Sequence, residues 1–222
     1  MSRLVVKVSG AVAFSATAEV LRLAAEGHEV VVVHGAGPQI SAALTRAGIG
    51  CTFVRGRRMT TAAALQVVRQ TLATVNGGLA VALGPKALAL MGDEIGLVAR
   101  RVPELGHVGV PLPSCPLLLE MALAEGRLPV VAPLAAGPLN VNADEMAGAL
   151  AAGLRAERIV FLTDVPGLLV EGAVVPRIAA DDAEELLDRG LLEGGILPKL
   201  RAAVAAARLG VQAEIGETAV VA

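Results

Sequence analysis

The spacing of apolar residues predicts strands and helices that alternate along the chain. Residues 4–8 and 29–34 are short valine-rich runs, and each leads into a turn that contains glycine. Such β-branched runs are typical of strands buried in a parallel sheet. Between them, residues 16–26 carry apolar side chains at helical spacing, and Gly27 follows as a helix stop. The chain therefore begins as strand, helix, strand.

The same alternation continues to the end of the chain. Apolar runs predict strands at 51–54, 87–91, 95–99, 128–132 and 158–163, and helical spacing predicts helices at 39–47 and 197–209. Capping residues predict four more helix starts: Thr60 or Thr61 before Ala62, Ser114 for a helix through Glu125, Asn142 for a helix to Leu154, and Asp181. Residues 79–83 fit a helix or a strand. We predict an α/β fold whose mainly parallel sheet is covered on both faces.

Composition and charge exclude several classes of function. Of the 222 residues, 55% are hydrophobic and the mean hydropathy is +0.66, which allows a large aliphatic core. The net charge is −2, Trp and Tyr are absent, and no basic field exists that would hold a nucleic acid. No uncharged stretch is as long as the roughly 18–20 residues of a transmembrane helix. We predict a cytoplasmic protein that binds neither nucleic acid nor membrane.

Two glycine turns are the first candidates for a binding site. Ser9-Gly10 and Gly35-Ala36-Gly37 each follow a predicted buried strand and precede a helix. Small residues there let backbone N–H groups approach an anion, and a helix N-terminus adds partial positive charge. Neither turn matches the dinucleotide fingerprint or the Walker A loop. A tight strand-to-helix turn without a ligand is the alternative.

Charged residues in apolar surroundings are the second group of candidates. Lys7 interrupts the first strand, so it is either a buried lysine with an anionic partner or an edge residue in solvent. Lys199 lies in the first turn of a helix, where a cation opposes the helix dipole unless an anion is bound there. An exposed surface lysine is the alternative at that position.

Other polar residues have ordinary explanations as well as functional ones. Asn140, Asn142 and Asp144 stand at a predicted helix start, where capping accounts for some of them. Asp164 follows a strand at the edge of the sheet where ligands of open α/β folds bind. Residues 55–58 contain three arginines, either a solvated loop or a carboxylate-binding group. Cys51 and Cys115 lack metal or redox spacing and are interpreted as reduced cysteines.

Six segments, taken in order, resemble the amino-acid kinase family. The segments are 6–10 (VKVSG), 31–38 (VVVHGAGP), 56–60 (GRRMT), 140–144 (NVNAD), 162–167 (LTDVPG) and 194–199 (GGILPK). Together they are distributed along nearly the whole chain, and their order makes the match specific. The chain departs from the usual family pattern at Ser9 and Ala36, where many members that act on N-acetylglutamate have glycine.

The resemblance implies a three-layer αβα sandwich with a mainly parallel central sheet, in which residues 1–136 bind an acylated amino acid and residues 137–222 bind ATP. It implies catalytic roles for Lys7, Lys199 and Asp144. It implies substrate-binding roles for Gly10, Gly35, Ala36, Gly37, Arg58 and Asn140. It implies nucleotide-binding roles for Ser9, Asp164, Val165, Pro166, Gly167, Leu168, Leu169, Leu191, Leu192 and Glu193, and it assigns no residue as a metal ligand. It also makes residues 79–83 helical.

The resemblance further implies the reaction. The expected activity is Mg²⁺-dependent transfer of a phosphoryl group from ATP to the side-chain carboxylate of N-acetyl-L-glutamate, a step of arginine biosynthesis, by a homodimer. Such a transfer needs positioning and charge neutralisation, and a carboxylate acceptor needs no general base. Two alternatives remain: a kinase for aminoadipate or glutamate linked to a carrier protein, and a catalytically silent ligand-binding module.

Overall fold

The computed structural model describes residues 2–10, 14–190, 192 and 194–222. Its strands are β1 (Arg3–Val8), β2 (Glu29–His34), β3 (Phe53–Val54), β4 (Arg57–Arg58), β5 (Ala87–Met91), β6 (Ala99–Arg101), β7 (Val108–Pro111), β8 (Leu128–Ala132), β9 (Leu134–Ala135), β10 (Leu139–Val141), β11 (Arg158–Leu162), β12 (Leu169–Val170), β13 (Ala173–Val174), β14 (Arg177–Ala179), β15 (Gln212–Ile215) and β16 (Thr218–Val221). Its helices are α1 (Thr17–Ala25), α2 (Gly37–Arg46), α3 (Ala62–Leu83), α4 (Leu117–Ala124), α5 (Ala143–Gly153), α6 (Ala180–Asp188) and α7 (Ile196–Arg208).

The central sheet has eight strands in the order β14-β16-β15-β11-β1-β2-β8-β5. Among the described strands, all neighbours in this sheet are parallel except β15 and β16. The sheet joins strands from both halves of the chain, while the division between residues 136 and 137 stays a prediction. The mainly parallel sheet confirms the fold class expected from the sequence.

Side-chain alternation along the strands divides the core into two layers. Leu4, Val6 and Val8 of β1 pack with α1 and the end of α3, whereas Val5 packs on the opposite face with α4, α5, α6 and α7. Successive side chains of a strand point to opposite faces. Lys7 therefore belongs to the same face as Val5, toward α5. The three-layer αβα arrangement follows from this division.

Several predicted elements are confirmed, whereas one predicted strand and two predicted helix caps are wrong. The segment 79–83 is helical, as the end of the long helix α3. The predicted strand at 95–99 is wrong, because residues 92–96 form turns and the strand β6 begins only at Ala99. Ser114 does not cap α4, which begins after Pro116. Asp181 does not cap α6 either; it lies in the first turn and pairs with Arg208 at 2.8 Å.

A second, four-stranded sheet in the order β6-β7-β10-β9 was not predicted as a sheet. Strands β7 and β10 run parallel, and their pairing aligns Asn140 with Val108. This small sheet carries the polar segment that precedes α5 and holds it beside the central sheet. In the described part of the chain, no helix is both long and apolar enough to cross a membrane.

Candidate functional site

The described residues contain four buried side chains of charged type, and they converge on one region. Lys7, Arg58, Asp144 and Lys199 are 4%, 6%, 6% and 7% exposed, respectively. Burying a charge costs several kcal/mol unless the charge is paired or hydrogen-bonded. Three of these groups are cationic and one is anionic. This imbalance favours binding of an anionic ligand.

Lys7 and Asp144 form a buried ion pair at the carboxyl end of β1. The Lys7 Nζ lies 2.7 Å from the Asp144 Oδ1. Asp144 is in the first turn of α5, where the helix dipole stabilises a carboxylate. Asn142 caps the same helix, since its side-chain oxygen accepts hydrogen bonds from the Asp144 and Glu145 backbone N–H groups at 2.8 and 3.2 Å. The cap fixes the carboxylate that orients the lysine.

Lys199 approaches the same pair from the first turn of α7. Its Nζ donates to the Gly195 carbonyl oxygen at 3.1 Å. Burial is the main cause that lowers the pKa of Lys199, and Lys7 lowers it further, while Asp144 and Asp164 act in the opposite direction. Lys199 is therefore buried and the alternative of an exposed surface lysine is wrong, while its functional role stays a prediction. A cation at a helix N-terminus is unfavourable by itself, so this lysine is suited to face a bound anion.

The two glycine turns touch each other beside Lys7. The Gly35 N–H donates to the Val8 carbonyl at 2.9 Å, and the Ser9 N–H donates to the Leu162 carbonyl at 3.1 Å. A Cβ added to Gly10 would lie 2.9 Å from the Gly35 oxygen, which is too close for any side chain. A Cβ added to Gly35 would lie 3.9 Å from the Lys7 Nζ. Glycine at position 10 thus allows the backbone to approach closely at this edge of the sheet.

Arg58 is held without a carboxylate partner among the described residues. Its guanidinium donates to the Gly37 carbonyl at 3.2 Å and to the Ser41 Oγ at 3.0 Å, and it also contacts the Cys51 Sγ. The Phe53 ring lies 4.5 Å from the guanidinium carbon. Burial lowers the pKa of Arg58. A buried guanidinium held by neutral groups is suited to a carboxylate ligand.

Asn140 connects the small sheet to the segment that follows Arg58. Its Nδ2 donates to the Thr60 Oγ1 at 3.0 Å, and the Thr60 hydroxyl donates to the Arg58 carbonyl at 2.8 Å. Thr61 caps α3 by accepting from the Ala64 N–H at 3.2 Å. Of the two threonines that the sequence offered as caps, Thr61 has that role and Thr60 supports the site.

These groups surround a cleft of about 240 Å³. The residues from the sequence-based prediction that line it are Lys7, Ser9, Gly10, Gly35, Ala36, Gly37, Arg58, Asn140 and Asp144. Lys199 and the segment 164–169 do not line this cleft. The structure therefore brings the predicted substrate-binding residues together in one cavity, and Lys199 lies close enough to the ion pair for both of its members to influence the pKa of Lys199.

The predicted nucleotide segment lies next to Lys199 but not all of it faces outward. Asp164 is exposed and lies near enough to Lys199 to influence its pKa. Leu168 is fully buried in the core, and its N–H donates to the Thr218 Oγ1 at 2.8 Å. Its side chain therefore belongs to the core, and its role in nucleotide binding stays a prediction. Leu192 is half-buried, whereas Leu191 and Glu193 lie outside the described residues.

No group of three or more His, Cys, Asp or Glu side chains is placed to hold a metal ion within the described ranges. Cys51 and Cys115 are both free and exposed. The buried charged side chains of the site are two lysines, one arginine and one carboxylate.

Comparison with known proteins shows the family of the chain. The profile of the amino acid kinase family matches residues 2–216. The chain belongs to the amino acid kinase family. The acetylglutamate kinase of Rubrobacter xylanophilus is 42% identical in an alignment of length 225 that covers 97% of this chain and 88% of that protein. The acetylglutamate kinase of Gluconacetobacter diazotrophicus is 40% identical in an alignment of length 212 that covers 85% of this chain and 68% of that protein.

A solved structure extends the match to three dimensions. The smu.665 protein of Streptococcus mutans UA159 superimposes with a TM-score of 0.88 at 25% identity, covering 99% of this chain and 98% of that one. The agreement over nearly the full length of both chains shows that the amino acid kinase fold described above is shared.

Several residues at the site had no signal that sequence reasoning could use. Ser41, Cys51 and Phe53 touch Arg58, but they are an ordinary helix residue, a lone cysteine and a strand residue in the sequence. Arg57 pairs with Glu145, which is 88 residues away in the sequence, and no sequence motif predicts that contact. The three arginines prove distinct: Arg55 is exposed, Arg57 is paired and Arg58 is buried.

Proposed function

We propose that this chain transfers the γ-phosphoryl group of ATP to the side-chain carboxylate of N-acetyl-L-glutamate. The observation that carries the proposal is the site at which three buried cations face one buried carboxylate beside two glycine turns. Membership of the amino acid kinase family and relatives named acetylglutamate kinase at about 40% identity support the substrate. The product is an acyl phosphate, an intermediate of arginine biosynthesis.

Each end of the substrate has a suitable partner in the cleft. The Arg58 guanidinium is placed to bind the α-carboxylate, since a planar guanidinium holds a carboxylate through two hydrogen bonds. Asn140 helps to hold Arg58 in place, because it donates to the Thr60 hydroxyl, which in turn donates to the Arg58 carbonyl. The side-chain carboxylate would then point toward Gly10, Gly35 and Lys7, where the acceptor oxygen meets the transferring group.

The reaction forms one bond and breaks another without moving a proton. A carboxylate oxygen attacks the γ-phosphorus, and the bond to the oxygen that bridges the β- and γ-phosphates breaks, so that ADP leaves with the electron pair. Lys7 and Lys199 offset negative charge that spreads over the phosphoryl oxygens. Asp144 holds Lys7 in place through the 2.7 Å ion pair. Backbone N–H groups of the glycine turns give further stabilisation.

The residues present fit ATP and Mg²⁺ as partners of this site. The close approach at Gly10, which a Cβ would block, and the excess of buried cations suit a polyphosphate. Asp164 to Leu169 and Leu191 to Glu193 are proposed to bind the nucleotide. Mg²⁺ usually binds through phosphate oxygens with one or two carboxylates, and it would neutralise phosphate charge. Asp144 and Asp164 are the carboxylates whose charges raise the pKa of Lys199, and they are the candidates to hold the ion.

A homodimer in the cytoplasm is proposed as the working form. Strand β5 is an edge of the eight-stranded sheet, and Val81 of the neighbouring helix α3 is 84% exposed. An edge strand can pair with the edge of another chain, and Val81 adds exposed apolar surface on the helix that packs against β5. Light scattering should give twice the chain mass, and Val81→Asp should shift the protein toward monomer. A monomer at all concentrations would contradict the dimer, and fractionation of cells tests the location.

An assay of ATP consumption with hydroxylamine trapping tests the activity. Purified protein with Mg-ATP should form a hydroxamate from N-acetylglutamate, and not from aspartate or UMP. Product only from aminoadipate or glutamate attached to a carrier protein would move the substrate to that alternative. Binding of N-acetylglutamate without turnover of any acceptor would support the silent ligand-binding module instead.

A further inference from the structure

Arg57, at the lining of the cleft, forms an ion pair with Glu145, which lies outside that lining. The Arg57 Nη2 lies 2.9 Å from the Glu145 Oε1, and the Arg57 Nε donates to the Oε2 at 3.2 Å. The guanidinium therefore holds both carboxylate oxygens, the geometry in which such pairs are strongest. Each side chain is only 25% exposed, so water screens the pair less than it would screen a surface pair. Arg57 also lines the cleft itself.

The ion pair connects a marginally stable hairpin to the first turn of helix α5. Arg57 belongs to the hairpin formed by β3 and β4, which has two residues in each strand. Phe53 and Val54 of this hairpin are 53% and 41% exposed, so little apolar burial stabilises it. An isolated two-stranded hairpin is marginally stable in water. Glu145, by contrast, lies in the capped first turn of α5.

A second contact fastens the hairpin at the same place. The Asn142 Nδ2 donates to the Gly56 carbonyl at 3.1 Å, and Gly56 is in the turn of the hairpin with a φ of 78°. Asn142 is also the cap of α5. The turn of the hairpin and the N-terminus of α5 are thus joined by a hydrogen bond and an ion pair at adjacent residues.

We propose that Arg57 and Glu145 are positioning residues that hold the hairpin over the cleft and so fix Arg58 for substrate binding. Arg58 follows Arg57 directly, and Asp144 precedes Glu145 directly, so the pair joins the carboxylate-binding residue to the helix that orients Lys7. Because Glu145 pairs with the Arg57 guanidinium, Arg58 is the guanidinium of the cleft lining that has no carboxylate partner among the described residues. This inference rests on the proposed function for its substrate, but the contact itself does not.

Neutral variants and a charge swap test the proposal. Arg57→Gln and Glu145→Gln should each raise KM for N-acetylglutamate about 5–20-fold, with KM for ATP and kcat within about twofold. The double variant should be no worse than the single variants, because both remove one interaction. The double variant that exchanges the two charges, Arg57→Glu with Glu145→Arg, should have a KM for N-acetylglutamate between those of the neutral variants and wild type.

The ion pair between Arg158 and Glu214 is a matched control. Its atoms are 2.9 Å apart and its side chains are 30% and 26% exposed, so it resembles the Arg57 pair in length and burial. It joins β11 to β15 at paired strands and does not line the cleft. Arg158→Gln should leave KM for both substrates unchanged.

Hydrogen exchange of residues 53–58 gives a readout that needs no substrate. Arg57→Gln and Glu145→Gln should speed exchange in the hairpin and leave α3 and β2 protected, while Arg158→Gln should not affect the hairpin. Unchanged hairpin exchange in both variants would overturn the proposal even if no acceptor is turned over. Faster exchange with unchanged KM would overturn the positioning role in a protein that is otherwise an active kinase.

Discussion

At the scale of single residues, Arg58 is a buried guanidinium surrounded by neutral groups. Lysine lacks the planar fork that reaches Gly37, Ser41 and a substrate carboxylate together. Arg58→Lys should raise KM for N-acetylglutamate about 10–100-fold, the equivalent of roughly 1.5–3 kcal/mol for a charge-assisted hydrogen bond. KM for ATP should stay nearly constant. Initial-rate kinetics check this, with the exposed Arg46→Lys as control; equal effects of the two changes would contradict the role of Arg58.

His34 makes the folded protein sensitive to acid. Its side chain is fully buried at the end of β2, and burial is the main cause that lowers the pKa of His34 to about 4 from its ordinary 6.5, with Lys7 adding to the effect. Between these values the unfolded chain binds a proton that the folded chain does not. Stability should therefore fall as pH drops from about 6.5 to about 4, by up to about 3 kcal/mol.

Urea unfolding of wild type and His34→Asn between pH 7 and pH 4.5 measures this contribution. The variant starts from a different stability, so the comparison is between the slopes of unfolding free energy against pH. The slope should be smaller in His34→Asn. Parallel slopes would show that His34 does not contribute.

At the scale of elements, the contact of the two glycine turns makes a sharper test than either turn alone. A Cβ at position 10 would collide with the Gly35 carbonyl at 2.9 Å, whereas a Cβ at position 37 would meet no atom within 4 Å. Gly10→Ala should therefore separate the turns and lower stability by about 1–3 kcal/mol, as overpacking does, together with kcat by at least about tenfold. Gly37→Ala should fold normally.

Melting curves and kinetics on these two variants are the measurement. Gly10 and Gly37 both belong to segments that resemble the family. The resemblance alone would therefore predict equal effects of the two substitutions on stability and kcat, and the structure predicts different ones. Similar activities for Gly10→Ala and Gly37→Ala would mean that the close approach is not needed for catalysis.

Local patterns predicted elements well where the element is set by its own residues. The four valines of β2 and the Asn142 cap of α5 are signals of this type, and both elements form where they were expected. Strands β7 and β10 were missed because they pair with each other in a small sheet, and only that pairing stabilises them. The predicted strand at 95–99 failed because an apolar residue can pack into the core from an irregular segment, as Leu97 does at 0% exposure.

At the scale of the whole molecule, the site could be predicted in part because charge is rare in this chain's interior. Lys7 interrupts an apolar strand, and that conflict was visible in the sequence. The signal at Lys199 was weaker, because a cation in the first turn of a helix can also be an exposed surface lysine; the family resemblance and then the fold bring it near Asp144. Contacts such as that between Arg57 and Glu145 depend on elements far apart in sequence. Side-chain pairs of this type follow from the fold and not from local pattern.

The two lysines allow a test of the fold's contribution to catalysis. Lys7→Met and Lys199→Met should each lower kcat about 10²–10³-fold, as removal of one preorganised donor does, with smaller changes in either KM. Their stabilities should differ. Lys7→Met removes the ion-pair partner of buried Asp144 and should destabilise the protein by about 3–5 kcal/mol. Lys199→Met removes a cation whose pKa burial lowers, so its stability should stay the same or rise.

The double variant decides whether the lysines act on one group. If both offset the charge of the same transferring phosphoryl group, the loss of kcat in Lys7→Met with Lys199→Met should be smaller than the product of the single losses. Single-turnover kinetics at a temperature where every variant is folded, as melting curves verify, would measure it. Lys199 keeps its proposed role in the reaction only if its single variant lowers kcat. A folded Lys199→Met with near-normal kcat would remove this lysine from the reaction, and multiplicative losses would mean that the two lysines serve different steps.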